Sequence, residues 1–473
     1  MCLRTLIKYL ITLALVMPII ITSLGVLGQG ESNALWFGDD VDNQAYGILV
    51  RAPNEYYAVW SSLFSESITN PVITKFFSNR TIKWSKEIAP SLQNIVQVKF
   101  SDVELYGDYA YIILNTVNTS GTYVYLIKVY LPIGSIDWSR MIGKTPGFAT
   151  MPTSNYVFVI HSDVANAANE YVWVQKIDVN GGSRTYRKYY VGHYTFPRES
   201  SYDGQYIYTT GRIDIAPVKS IWLLKTNSTL ATTQKYVTAW IGGVDAAVAE
   251  GYGIVNDGNY LYILAGVDPI DYDKLEWSYL GIVKINLNAL SITAYRTIVV
   301  NGAHFIFPHR GKVLTYDGTY MYLTLTLVNT TSGDKDVLIG KVDPSSLDIE
   351  WLKVWGTDGQ EDGTALLIDR DRVLVIGNAS TTIGTLSDVT FTGIYVVYTI
   401  NIVTPSYVLE NTLTPTNLPY TEKEITLDPG GTEAVVISLD TLGNPLPIPE
   451  HTLIAIAVLT ASLIFFAIKR LRK

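Results

Sequence analysis

The sequence is poor in cysteine and in charge. The one cysteine among 473 residues is Cys2, so no disulfide can form within the chain. Charged residues make up 16% against 48% hydrophobic, which excludes a disordered, solvated polymer. The net charge is −8 and no basic patch stands out, which argues against a nucleic-acid partner. Linear catalytic signatures are missing as well: there is no Gly-x-Ser-x-Gly, no phosphate loop and no His-Glu-x-x-His. Asp271–Asp273 lacks the regular oxygen spacing of a calcium loop. No cofactor is predicted. What the chain has in quantity is tyrosine, 33 residues, which with Val, Ile and Thr points to β-structure.

Both ends are apolar. Arg4 and Lys8 precede an apolar run to about Leu27 and the small residues Gly28 and Gly30, so residues 1–28 read as a secretory signal. The alternative is a retained signal anchor. Cys2 precedes the apolar run, the wrong place for a lipoprotein cysteine. At the other end Thr452 to Ile468 carries no charge, and Lys469–Lys473 is basic. Residues 448–473 are therefore predicted to form a single transmembrane helix with a cytoplasmic tail, which places the body of the chain outside the cell. A core helix is the bland alternative. The Pro449-Glu450 segment, apolar run and basic cluster resemble the C-terminal sorting signals processed by exosortases and archaeosortases, which implies that the helix is exchanged for a lipid-type anchor. An exported domain of this size without disulfides suits a prokaryotic, archaeal surface protein.

Between the ends a unit of about fifty residues repeats. Its first element is an aromatic pair after a turn, as in Gly107–Tyr111, Ser154–Phe158, Asp203–Tyr208, Asp257–Tyr262 and Asp317–Tyr322. Weaker copies are Asn54–Val59 and Arg370–Val375. Its second element is a β-rich run with lysine in one register: Lys75, Lys128, Lys176, Lys225, Lys284 and Lys341, with Tyr398 in the seventh copy. An aromatic follows about ten residues later, from Trp84 and Trp138 to Trp351 and Tyr407.

Four strands per unit, apolar on both faces, predict an all-β fold, a seven-bladed β-propeller over 34–413. Asp-Gly is expected to supply a two-residue hairpin turn with φ > 0 at both residues. Ala34–Gly38 is expected to add the outer strand of the last blade and close the ring. Residues 414–447, rich in Pro and Thr, are expected to form a stalk with a small hairpin that lifts the ring off the membrane. The repeated lysines are predicted to be structural, their stems packed and their amines at the rim.

The pattern Asp-Gly-x-Tyr-x-Tyr, Leu-x-Lys-x-Asn, Trp resembles the extracellular propeller repeats of bacteria and archaea and, more loosely, YVTN-type and quinoprotein propellers. It lacks the Trp-Asp dipeptide of WD40 repeats and the aspartate boxes of sialidases. The glycine that quinoprotein repeats place four residues before the Trp is missing too, which puts a quinone cofactor in doubt.

Candidate site residues lie in the loops that lead into each blade. His193 and His304 begin matching segments ending in Phe-Pro, followed by Arg198 and by His309 and Arg310. Acids occupy other lead-in loops: Asp39, Asp40 and Asp42; Asp245 and Glu250; Asp358, Glu361 and Asp362. Imidazole and carboxylate could ligate a divalent cation, and arginine could grip a carboxylate or phosphate. The bland reading is repeat homology, with the Phe-Pro segments packed and the polar residues in water. Five N-glycosylation sequons stand at Asn79, Asn118, Asn227, Asn329 and Asn378. Asn118, Asn329 and Asn378 follow the same repeat strand and are expected in exposed loops. The leading expectation is a non-enzymatic surface protein that binds a glycan, a peptide or an envelope protein. The alternatives are a surface hydrolase or lyase using acids at the channel mouth, which the lack of a linear motif does not exclude, and a structural component associated with an S-layer.

Overall fold

A computed structural model describes residues 34–37, 43–64, 68–78, 81–90, 95–118, 121–162, 171–190, 195–215, 218–230, 233–239, 249–271, 274–357, 359–379, 385–394, 400–403, 407–413, 416–417, 420–424 and 433–444. The signal segment and the C-terminal apolar run lie outside these residues. Among the described residues no helix is long and apolar enough to cross a membrane.

After β1 (Ala34–Phe37), strands come in runs of four, here called units. The first is β2 (Asn43–Ala52), β3 (Glu55–Phe64), β4 (Ile68–Phe77) and β5 (Ile82–Pro90). The second is β6 (Ile95–Tyr106), β7 (Tyr109–Asn118), β8 (Gly121–Tyr130) and β9 (Ser135–Gly143). The third is β10 (Gly147–Pro152), β11 (Tyr156–Ser162), β12 (Tyr171–Asp178) and β13 (Arg184–Tyr190). The fourth is β14 (Thr195–Tyr202), β15 (Tyr206–Ile215), β16 (Val218–Asn227) and β17 (Thr233–Ala239). The fifth is β18 (Ala249–Asn256), β19 (Tyr260–Asp271), β20 (Glu276–Asn286) and β21 (Ser291–Val300). After β22 (Ala303–Ile306) comes the sixth: β23 (Leu314–Tyr316), β24 (Met321–Asn329), β25 (Lys335–Val342) and β26 (Ile349–Gly356). Then follow β27 (Asp362–Asp369), β28 (Arg372–Ala379), β29 (Thr385–Asp388), β30 (Phe391–Ile394), β31 (Ile400–Val403), β32 (Tyr407–Leu413), β33 (Thr416–Asn417), β34 (Tyr420–Glu424) and β35 (Glu433–Asp440).

The first strands of successive units pack side by side in a closed ring, β2 on β6, β10, β14, β18, β23 and β27 in turn, with β27 back on β2. The arrangement is all-β and propeller-like. Hydrogen bonding divides it into five sheets, not the seven predicted. Units one and two share a ten-stranded sheet through one parallel pair, Ile68 with Val98. Units five and six share an eleven-stranded sheet because β22 pairs with both β20 and β24. The apolar core lies between neighbouring units, as the two apolar faces of each strand require. One cluster joins Trp60, Phe76 and Ala365, and another joins Tyr252, Trp277 and Leu323. Trp60, Trp222 and Trp277 are fully buried, each contributing roughly 2–3 kcal/mol of hydrophobic stabilisation.

The last sheet corrects the reading of the C-terminal third. Its order is β1-β35-β28-β27, so its third strand is Glu433–Asp440, a segment expected in the stalk. Val435, Ile437 and Leu439 alternate because they face a core with Leu366 and Val375. Ser438, not Tyr398, therefore occupies the register where other units carry lysine: it pairs with Leu374 as Lys341 pairs with Tyr322. Tyr398 itself lies outside the described residues. Ala34–Phe37 lies antiparallel on β35 at the edge of this sheet.

The chain between β28 and β35 runs backward around the ring as an outer belt. β29 pairs with β26, β30 with β21, β31 with β17, β32 with β13, β33 with β9 and β34 with β5. Each outer edge is thereby covered, which removes the unpaired strand edges that invite aggregation.

The Asp-Gly turns are not the expected two-residue hairpins: the pairs Tyr202–Ile207, Asn256–Leu261 and Tyr316–Met321 close four-residue loops. Only the glycine of each Asp-Gly pair has positive φ: Gly204 98°, Gly258 91° and Gly318 99°. The aspartate instead caps the turn. Asp257 Oδ1 accepts from the backbone N–H of Asn259 and Tyr260, and its Oδ2 accepts from the Tyr262 hydroxyl.

Candidate functional site

Six of the inner strands carry a β-bulge at the equivalent height. The residues left unpaired are Tyr46, Ser101, Phe148, Arg198, Tyr252 and Thr364. A bulge re-aims a side chain, and a ring of them turns several toward the central channel. Tyr46 stacks on Phe100 at 4.5 Å, and Tyr252 stacks on Phe307 at 4.2 Å. The Phe-Pro segments thus pack, while the residues beside them carry charge.

Arg198 and Arg212 share the carboxylate of Glu250, which is fully buried. Arg198 donates from Nε to Oε1, and Arg212 donates from Nη1 to Oε2 at 3.2 Å. Arg198 also lies 5.2 Å from the centre of the Tyr252 ring. Arg310 is placed differently. Its Nη1 is buried without a hydrogen-bond partner, and its guanidinium lies 4.7 Å from the centre of the Phe148 ring. Burial, then the nearby Arg198, pushes its pKa down to about 9. Gly311, at φ +115°, lets the chain pass β27 where a Cβ would stand 2.3 Å from the Thr364 carbonyl oxygen.

Arg310, His309 and Asp362, three of the residues singled out in the sequence, line one cavity of about 230 Å³ with Lys274, Glu276 and Asn378. Burial, with Arg198 and Arg310 next, pushes His309 down to about 4, so its imidazole is neutral at ordinary pH. Asp362 Oδ1 accepts from the Thr326 hydroxyl at 3.2 Å. His304 does not line that cavity. Its Nε2 stands 3.8 Å from Glu276 Oε2 on the neighbouring strand. His193, Asp40, Asp245 and Asp358, with Asp39 and Asp42, lie outside the described residues. Glu361 is buried and serves its own loop, accepting from the backbone N–H of Thr357 at 3.1 Å. Among the described residues no group of three or more His, Cys, Asp or Glu could hold a metal ion.

A second constellation beside that cavity was not foreseen from the sequence. Asp102 on β6 and Glu199 on β14 are both buried. Burial, then repulsion from Glu199 and Glu104, raises Asp102 well above the usual carboxylate range. Burial pushes Glu199 up to about 7 against the pull of Lys312. Asp102 Oδ2 accepts from the Thr150 N–H at 2.6 Å, and Lys312 Nζ donates to Glu104 Oε1 at 2.9 Å. Asp102, Glu104 and Lys312 line a second cavity of about 170 Å³. A signal existed. Asp102 and Glu199 each stand seven residues before the repeat aromatic, where other copies hold Ala149 and Gly253.

The sequons fall in unlike places. Asn329 ends β24, exposed, and its Oδ1 accepts from the Thr331 N–H at 2.9 Å. Asn227 ends β16 and is half-buried. Asn118 ends β7. Asn378 does not lie in an exposed loop: it is within β28, half-buried, and its Oδ1 accepts from the Ala45 N–H at 2.7 Å. Asn79 lies outside the described residues.

These features define a β-propeller with a charged channel. No family model matches the chain, and no curated protein matches it. Solved structures similar to it include the computationally designed Ika8 protein, at 10% identity and a TM-score of 0.39, covering 77% of this chain and 100% of that one. Sqt1 from Chaetomium thermophilum has 9% identity and a TM-score of 0.41, covering 76% and 99%. The phage phi92 endosialidase has 11% identity and a TM-score of 0.41, covering 75% and 65%. Likeness this distant carries nothing about ligand or activity, and the description of the fold rests on strand pairing.

Proposed function

We propose that the protein is a binding module, exported and held at the outer face of a cell membrane by its C-terminal helix, taking a glycan, a peptide or an envelope protein at the mouth of its channel. The observation that supports this reading is the cavity of about 230 Å³ in which the adjacent His309 and Arg310 meet Asp362 from a separate segment of the chain. A concave site with a few convergent polar groups is the common form of a ligand pocket. The export and the anchor rest on the two apolar ends and their flanking charges. The test is a glycan and peptide screen against the full-length protein in detergent micelles, beside Arg310→Ala and Asp362→Asn variants. Ligands that bind the wild type and lose at least about tenfold in both variants support the reading. Binding that ignores both substitutions rejects it.

A second reading, a hydrolase, is favoured by one observation: the buried, proton-holding acids Asp102 and Glu199 in the channel. Turnover of any ligand found in the screen, abolished by Glu199→Gln, would select it.

A further inference from the structure

We propose that the channel binds a small organic carboxylate at Arg310 and takes up a proton with it, the proton residing on the Asp102–Glu199 pair. The proposal rests on the reading of the channel mouth as a binding site and adds the chemistry of the ligand.

The geometry begins with an unmet donor. Arg198 has its carboxylate in Glu250, and Lys312 has Glu104. Among the described residues Arg310 has the Phe148 ring face, the neighbouring Arg198 cation and the charge of Asp102 acting without a hydrogen bond, while its buried Nη1 meets no acceptor. It borders the cavity at the mouth, so an incoming anion can reach it. A guanidinium fork matches a planar carboxylate better than any other common anion of that size.

The charges explain the proton. Six cations, Arg198, Arg212, Arg310, Lys312, Lys274 and Lys335, and six carboxyls, Asp102, Glu104, Glu199, Glu250, Glu276 and Asp362, line the two cavities or act on the groups that do. With every group ionised these balance, and a bound anion would be one negative charge too many. A proton on Asp102 or Glu199 removes one negative charge and leaves Arg310 uncompensated, which is the state an anion stabilises. The neighbouring His309, Tyr252 and Lys99 do not supply this switch. His309 is neutral at ordinary pH, the Tyr252 phenol is pushed well above its usual range by burial, and Lys99 is exposed on β6. Linkage then runs both ways: the anion raises the proton affinity of the pair, and the proton raises the affinity for the anion.

The test is isothermal titration of the full-length protein in micelles with glucuronate, with glucose and inorganic phosphate as comparisons. Each is run in buffers of different ionisation enthalpy. Glucuronate is expected to bind at least about tenfold tighter at about pH 6 than at about pH 8, with a net uptake of up to about one proton per ligand. The uptake is read on the unmodified protein and needs no variant. Arg310→Gln should abolish binding, whereas Asp102→Asn or Glu199→Gln should bind at the higher pH as the wild type does at the lower. Absent glucuronate binding, zero proton uptake, tighter binding of phosphate, or undiminished binding by Arg310→Gln overturns the proposal. Glucose bound as tightly as glucuronate also overturns it while leaving the mouth as a binding site. A screen with no ligand of any kind removes both.

Discussion

The face carrying the hairpin turns and the interior of the channel are built from the same strands under opposite rules. At the turn face everything repeats. Lys176, Lys225, Lys284 and Lys341 each hold Nζ 3.8–4.3 Å from the centre of a tyrosine ring, those of Tyr156, Tyr206, Tyr260 and Tyr320. Three of them also donate to a carbonyl in a turn of the next unit: Lys225 to Leu287, Lys284 to Pro344 and Lys341 to Thr441. The lysine is a staple, and its repetition is explained by each unit having the same neighbour. In the channel the equivalent bulge position holds Tyr, Ser, Phe, Arg and Tyr in the first five units and Thr in the last. Five residue types share that position in six units, so no one packing partner dictates it, and the charges Asp102, Arg198 and Glu199 stand at it or one residue beyond.

The sharpest break of this comparison is at the ring closure. Val436 is 3% exposed and packs in a core with Ala45, Trp60 and Leu374. Val436→Asp buries an unpaired carboxyl and should cost more than about 4 kcal/mol, enough to prevent cooperative folding. Circular dichroism and thermal melting check this, and an unchanged melt would return 433–440 to a stalk outside the ring. Next in size is Glu250→Gln, which removes the carboxylate that Arg198 and Arg212 share. The expected loss is about 3–5 kcal/mol in denaturant unfolding, because two buried cations then repel without compensation. A loss below about 1 kcal/mol would mean that water solvates the channel charges, which would weaken the case for a low-dielectric site.

The regular half of the molecule was legible because a repeat is read many times over. The aromatic pair, the lysine register and the turn glycines recur, so one noisy copy does little harm. The last copy failed for a physical reason. The belt from β29 to β34 separates β28 from β35, so the third strand of the last sheet lies about forty residues beyond its expected place, at Ser438 rather than Tyr398. The belt was illegible because its strands borrow their partners: each adds to an edge already formed and needs no amphipathic pattern of its own. In the channel, Arg198, His309 and Arg310 stood out in the sequence because the two His and Phe-Pro segments match, and Asp362 stood out as an acid of another lead-in loop. Asp102, Glu199 and Lys312 were missed because their meaning depends on strands from different units converging. Asn378 was misplaced because its sequon could not reveal the bond to Ala45 across the closing units.

Channel acids should also make the stability of the ring depend on pH. Glu199 has its folded pKa raised from about 4.5 to about 7, and Asp102 shifts in the same direction. The folded state therefore binds more protons than the unfolded chain between those values. The stability from neutral Glu199 is fully present below about 4.5 and is lost as pH rises through about 7. Wild-type unfolding free energy should fall across that window by roughly 2–3 kcal/mol, and Glu199→Gln should flatten much of the fall. Urea titrations at several pH values decide it. A wild-type stability that rises across the same window would show that the carboxyls are solvated and ionised.

The smallest effect separates the two regions most cleanly. Lys284 donates to the carbonyls of Pro344 and Ser345 and covers the Tyr260 ring at 4.3 Å. Lys284→Met keeps most of the stem and removes the charge, so the expected cost is about 1–2 kcal/mol. Lys225→Met and Lys341→Met remove the same kind of staple two units apart, with no shared partner. Their double variant should lose the sum of the single losses to within about 0.5 kcal/mol. None of these substitutions should alter ligand affinity at the channel mouth by more than about twofold, because none touches a bulge residue or a channel charge. A lysine variant that weakened ligand binding tenfold while melting normally would show that the repeated face and the channel are coupled, and the division between packing and function drawn from their difference would fail.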